Sequence, residues 1–111
     1  MKYFLAYDVG TSSVKSILVD EAGTIVATAM QDYPLHMPNP GWVEQVPQDY
    51  WNAICKATMQ LVSASAVDIN NIKGIAFTTQ AMGVIPVNKE GEVLHNNISW
   101  VDGRAEKQAR K

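Results

Sequence analysis

The stretch Tyr3-Phe-Leu-Ala-Tyr-Asp-Val-Gly-Thr-Ser-Ser-Val-Lys-Ser-Ile-Leu-Val-Asp20 decides the fold. Two apolar runs, each as long as a buried strand, flank a turn made of Asp8, Gly10, Thr11, Ser12 and Ser13. The turn sets a carboxylate at a strand end, then a glycine, then three hydroxyl residues. Consecutive backbone N–H groups in such a turn make a concavity suited to a phosphate, and the carboxylate can hold the accompanying metal. The same composition is also ordinary hairpin chemistry, since Gly and Ser are common turn residues. The motif gains meaning only where segments further along the chain agree with it.

Working outward, residues 2–8 and 14–20 are rich in β-branched and aromatic residues and read as strands. Their nearly continuous apolar character predicts central strands covered on both faces. Glu21-Ala-Gly23 reads as a tight turn and Thr24–Met30 as a third strand, completing an antiparallel meander. The segment from Gln31 to Val46 carries Pro34, Pro38, Pro40 and Gly41 and fits no regular element. Trp42 near its end is expected to fold back onto the body.

Pro47 suits the first position of a helix, where its missing N–H costs nothing. Trp51, Ile54, Cys55, Thr58, Leu61 and Val62 recur at helical spacing and predict one stripe facing the sheet, with Cys55 as a buried thiol. The helix is expected to end between Ala64 and Val67. Ile72–Thr78 reads as a fourth strand, reached through a helix and so able to run parallel to the first. That topology sets the Asp8–Ser13 turn and the segment Thr79–Met82 at one sheet edge, where open α/β folds place ligands. Further extended pieces lie beyond it. Asp102–Lys111 is expected to open a helix capped by Asp102, with no stop signal before the chain ends, which reads as a truncation.

Composition excludes several classes. A net charge of −2 gives no electrostatic footprint for nucleic acid. The run before Asp8 is too short for a signal-peptide core or a membrane span. A single cysteine permits no internal disulfide, and His36 and His95 have no zinc spacing, so a cytoplasmic location is expected.

Four segments together resemble the FGGY carbohydrate kinases: Asp8-Val-Gly-Thr-Ser-Ser-Val-Lys15; Gly41-Trp-Val-Glu-Gln45 with Pro47 and Trp51; Thr78-Thr-Gln80; and Trp100-Val-Asp-Gly-Arg104. They run in the family's order over nearly the whole chain, and the likeness is greatest to the xylulose-kinase branch. The resemblance implies a ribonuclease-H-like, actin-like ATPase fold, with residues 1–111 as the opening part of the first of two such domains. It implies transfer of the γ-phosphoryl group of ATP, with Mg2+, to a hydroxyl of a sugar or polyol, by an enzyme that is a homodimer at full length. Asp8 would stand near the metal, and Gly10, Thr11 and Ser12 would face the phosphate. Gln80, Ala81, Met82, Trp100, Asp102 and Arg104 match segments that line the sugar pocket. Ala81 and Met82 stand where xylulose kinases carry Met-His and glycerol kinases carry Arg-Glu, so they offer no side-chain hydrogen bond.

For Asp102–Arg104 a local ion pair at a helix cap is an alternative, and for Trp100 a place in the core. Lys15 lies beyond the turn on a strand and reads as exposed rather than phosphate-binding. The family's base aspartate and adenosine pocket find no counterpart here, so the 111-residue chain is expected to be inactive alone. A non-catalytic actin-like module that binds a sugar or a partner is the competing reading. A two-metal phosphatase or nuclease would need an acidic cluster, and only Asp8 stands at the right strand end.

Overall fold

A computed structural model describes all residues, Met1–Lys111, as two compact units. The first comprises Met1–Tyr33 and Tyr50–Gln80, the second Pro34–Asp49 and Ala81–Lys111.

In the first unit, strands β1 (Tyr3–Val9), β2 (Ser13–Asp20) and β3 (Ile25–Asp32) form the expected antiparallel meander. Strand β5 (Ile72–Thr79) pairs parallel to β1, giving the order β3-β2-β1-β5. The tight turn after β2 is set by Asp20, whose carboxylate accepts the N–H groups of Ala22 and Thr24 at 2.9 and 2.8 Å. Helix α1 runs Pro47–Ser65, ending within the predicted range. A single 3-10 turn, Ile69–Asn71, capped by the Asp68 side chain, leads into β5.

Only one face of this sheet is covered, which corrects the expectation of two. Leu5, Tyr7, Val9, Val14 and Leu18 point toward α1 and are buried, whereas Phe4, Val26 and Met30 on the other face are exposed. Alternation along β1 and β2 is real; the apolar residues on the open face conceal it in the sequence. The helical stripe is also displaced. Ala53, Ala57 and Leu61, spaced four apart, are the buried residues, with Tyr50 and Ile54 packed beside them. Trp51 is 60% exposed and Cys55 is exposed, so the predicted buried thiol is wrong. The physical reason is size: alanines let the helix backbone approach a sheet already filled by Leu5, Tyr7 and Leu18. Polar groups on the covered face are bonded. The Tyr7 hydroxyl pairs with Thr58 Oγ1 at 2.6 Å, and Ser16 Oγ donates to the Ala29 carbonyl at 3.0 Å.

The second unit has little regular structure. Strand β4 (Glu44–Gln45) pairs antiparallel with β6 (Asn97–Ile98), and single bridges join His36 to Glu44, Val84 to Ile98 and Val87 to Val93. Its buried residues are polar: Glu44, Gln45, Asn97 and Ser99. A Cβ on Gly83 would come within 2.6 Å of the Asn97 side-chain oxygen, so glycine there permits the close approach. The predicted helix from Asp102 shrinks to α2 (Glu106–Ala109), whose cap, Ala105, makes no side-chain hydrogen bond. Asp102 does not cap it because its carboxylate is engaged elsewhere. No helix is long and apolar enough to cross a membrane.

Candidate functional site

The sequence-predicted residues divide between the two units, each described on its own. In the first, Asp8 is the next-to-last residue of β1, exposed on the open face of the sheet. Its register partners are Lys15 on β2 and Thr78 on β5. Asp8, Lys15 and Thr78 line one concavity of about 360 Å³, floored by Ala6, Ile17 and Ala76. Lys15 is exposed, as expected, and strand register sets it across from the carboxylate.

The turn between β1 and β2 is closed by the Gly10 N–H donating to the Ser13 carbonyl at 2.9 Å. A Cβ on Gly10 would stand 3.1 Å from that oxygen, so a side chain there would force the carbonyl to give by a few tenths of an ångström. Thr11 is half-buried and Ser12 exposed. Gln80 follows β5, and its N–H donates to the Val9 carbonyl at 2.8 Å. The adjacency predicted between the Asp8–Ser13 turn and the end of the fourth strand therefore holds for Gln80, while Ala81 and Met82 belong to the second unit.

In the second unit, Met82 adopts a positive φ of 66° and is 82% exposed. Few non-glycine residues hold that conformation. Trp100 sits in the turn closed by the Asp102 N–H donating to the Ser99 carbonyl at 3.0 Å, and half of it is exposed. It is not core.

Asp102 and Arg104 are bound to each other and to the Gly41–Gln45 segment. Arg104 Nη2 donates to Asp102 Oδ2 at 2.8 Å and to Glu44 Oε2 at 2.7 Å. Its guanidinium lies over the Trp42 ring, 4.1 Å from the centroid, a cation–π contact. The Val43 N–H donates to Asp102 Oδ2 at 2.6 Å. Trp42 therefore does fold back, onto an arginine. The Arg104 hydrogen bonds hold the Asp102 carboxyl down at about 2, against a smaller opposing effect of burial. They also lower Glu44, assisted by Asn96, while Asp102 and Glu44 raise Arg104. Both carboxylates stay ionised and Arg104 charged, which is a tether more than a titrating site. The local-ion-pair alternative is what the geometry favours for this pair.

One residue of these arrangements was not legible as such: Glu44, which Arg104 binds. Glu44 stands in the quoted Gly41–Gln45 segment, yet nothing local signals that its carboxylate is buried. No group of three or more His, Cys, Asp or Glu side chains is arranged to hold a metal.

A mixed sheet with an antiparallel meander, a parallel fourth strand and a covering helix is the actin-like ATPase fold of sugar kinases. Residues 3–111 match the FGGY family of carbohydrate kinases, N-terminal domain, and the chain belongs to that family. It is 40% identical over 110 residues to a glycerol kinase of Ralstonia pickettii, spanning 96% of this chain and 22% of the relative. To a xylulose kinase of Bacillus subtilis it is 38% identical over 108 residues, spanning 97% and 22%. Among solved structures, a xylulose kinase from Brucella ovis superposes with a TM-score of 0.92 at 34% identity, covering 97% of this chain and 23% of that one. The chain thus spans about a fifth of the length of the relatives it matches.

Proposed function

We propose that these residues are the amino-terminal portion of the first actin-like domain of an ATP-dependent carbohydrate kinase, which phosphorylates a hydroxyl of a sugar or polyol. The observation that carries the reading is the Asp8 concavity: a carboxylate beside Lys15 at the strand end, followed by a closed turn with no side chain at Gly10. Family membership and the fraction of its relatives that the chain spans support the domain assignment.

Phosphoryl transfer needs positioning and charge neutralisation more than covalent help from the protein. Gly10, Thr11 and Ser12 would receive the phosphate oxygens at the turn; Lys15, set across from Asp8 by strand register, would add positive charge beside them, contrary to its reading from sequence. Asp8 fits Mg2+, which is commonly held by one or two carboxylates together with phosphates and water. When bound, the ion would neutralise charge on the phosphate oxygens. Gln80 would reach the acceptor sugar from the end of β5. In the second unit Trp100 would offer a flat apolar surface, with Ala81 and Met82 adding wall without hydrogen bonds. Asp102 and Arg104, of the same unit, would act as a bonded pair rather than as separate ligands.

Relatives named for xylulose and for glycerol are almost equally similar, so the reading extends to the class of acceptor, with xylulose kinases as the nearer pattern in the sequence motifs. The base that takes the hydroxyl proton would come from outside these residues, and the 111-residue chain alone would not turn over. The full protein would work as a cytoplasmic homodimer.

Intact-protein mass spectrometry of the native gene product tests the domain assignment. A product several times heavier than 12.2 kDa supports it. A native product of 12.2 kDa overturns it and leaves a non-catalytic binding module.

A further inference from the structure

Tyr33 lies just beyond β3 and is buried, 6% exposed. Its backbone N–H donates to the Ser12 carbonyl at 3.1 Å. Its hydroxyl proton is shared between two more carbonyls of the same turn, those of Gly10 and, at 2.9 Å, Ser13. One residue thus draws in three of the four carbonyl oxygens between Gly10 and Ser13. In a trans peptide the C=O and the following N–H point in opposite directions. Pulling the Gly10 and Ser12 carbonyls toward Tyr33 therefore turns the Thr11 and Ser13 N–H groups away from it.

The ring of Tyr33 is held in turn. It meets Tyr50 of α1 edge to face, with centroids 4.9 Å apart, and the Tyr50 hydroxyl accepts from Gln80 Nε2 at 3.3 Å. Gln80 is bonded by its backbone to Val9 at the start of the turn. Burial, with the nearby Tyr50 and Asp8, pushes the Tyr33 phenol up to about 12, so it remains a donor at any physiological pH.

We infer that Tyr33 is a positioning residue for phosphate binding, fixing the orientation of the turn's amides from behind. The inference rests on the reading of the Asp8–Ser13 turn as a phosphate site. Tyr33 touches no substrate; it acts through the three carbonyls.

The test compares Tyr33→Phe with Tyr7→Phe. Each removes one hydroxyl from an almost fully buried tyrosine of the same core, and each keeps its ring. Tyr7 borders the Asp8 concavity, but its hydroxyl pairs with Thr58 and with no carbonyl of the turn. Amide shifts of the 111-residue chain are followed by NMR during titration with pyrophosphate and Mg2+, with thermal unfolding run on each variant. In the wild type, the amides of residues 10–13 should shift. Tyr33→Phe should weaken binding roughly fivefold to tenfold, the scale of one lost hydrogen bond, and speed hydrogen exchange at Thr11 and Ser13. Tyr7→Phe should leave both unchanged at a similar loss of thermal stability. Equal binding by Tyr33→Phe and wild type would overturn the inference and leave the phosphate reading standing. Equal loss in both variants would reduce Tyr33 to a core residue and overturn it as well. No shift at residues 10–13 in the wild type would overturn the phosphate reading itself, and this inference with it.

Discussion

Arg104 grips Asp102 through two nitrogens: Nε donates to both carboxylate oxygens at 2.9 and 3.0 Å, and Nη2 donates to Oδ2 at 2.8 Å. The same carboxylate accepts the Arg104 and Val43 backbone N–H groups at 2.9 and 2.6 Å. Two residues apart in sequence, they make a closed clamp that ties the segment after β6 to the Gly41–Gln45 segment.

The clamp has a pH signature. Asp102 titrates at about 2, below its ordinary 3.8. A carboxyl depressed by folding contributes its full stabilisation above the unfolded value, and loses it as pH falls through the folded one. The clamp should be intact at about pH 5 and fail as pH drops from about 4 toward 2. Carbon-13 titration of the carboxyl checks this, and Arg104→Gln should move the midpoint up toward the ordinary value.

Removing the cation should cost more than removing one anion. Arg104→Ala leaves two carboxylates, 8% and 3% exposed in their side chains, without a counter-charge. Glu44→Gln keeps a polar group in place and leaves the Asp102 pairing whole. Thermal unfolding should show a drop of several degrees for Arg104→Ala and a clearly smaller one for Glu44→Gln. Arg104→Lys should restore little, since an ammonium cannot reproduce the planar fork or its stacking on Trp42.

The displaced helical stripe gives a contrast in stability. Leu61 has no exposed surface, so Leu61→Ala should cost about 3 kcal/mol through lost burial and the cavity left behind. Cys55→Ser, on the exposed side of the same helix, should stay within about 0.5 kcal/mol. Denaturant unfolding of both variants measures the difference. A large loss at Cys55 would restore the stripe drawn from spacing alone.

At the turn, Gly10→Ala would push a methyl against the Ser13 carbonyl and open the hydrogen bond that closes it. Binding of Mg-pyrophosphate should weaken roughly tenfold or more, consistent with misplaced donors at an anion site. Asp8→Asn should lower the Mg2+ dependence of that binding and leave the fold intact, since Asp8 is exposed. Calorimetric titration with and without Mg2+ separates the two effects.

The meander, the parallel return of β5 and the closeness of Gln80 to the Asp8 turn were legible, because apolar β-branched runs and turn residues are local signals. Which side of a helix faces the sheet was not. Trp51 and Cys55 outweigh Ala53 and Ala57 in hydrophobicity, and only the volume already filled by Leu5, Tyr7 and Leu18 makes the alanines the better fit. The open face was hidden for a related reason: Phe4, Ile17 and Val26 are apolar without being fully buried. Asp102 looked like a helix cap because its usual partners lie just downstream. Its actual partners include Val43, far away in sequence, and such pairing leaves no periodic trace. Tyr33 was silent for the same reason, since its role consists of bonds to a turn some twenty residues earlier.

The kinase reading stands or falls on ADP release by the complete native gene product, supplied with Mg-ATP and a panel of sugars and polyols that includes xylulose and glycerol. ADP formation should depend on one acceptor or a small set of them, be abolished by Asp8→Asn and be absent from the 111-residue chain alone. A folded native product that releases no ADP above background with any acceptor would contradict the reading.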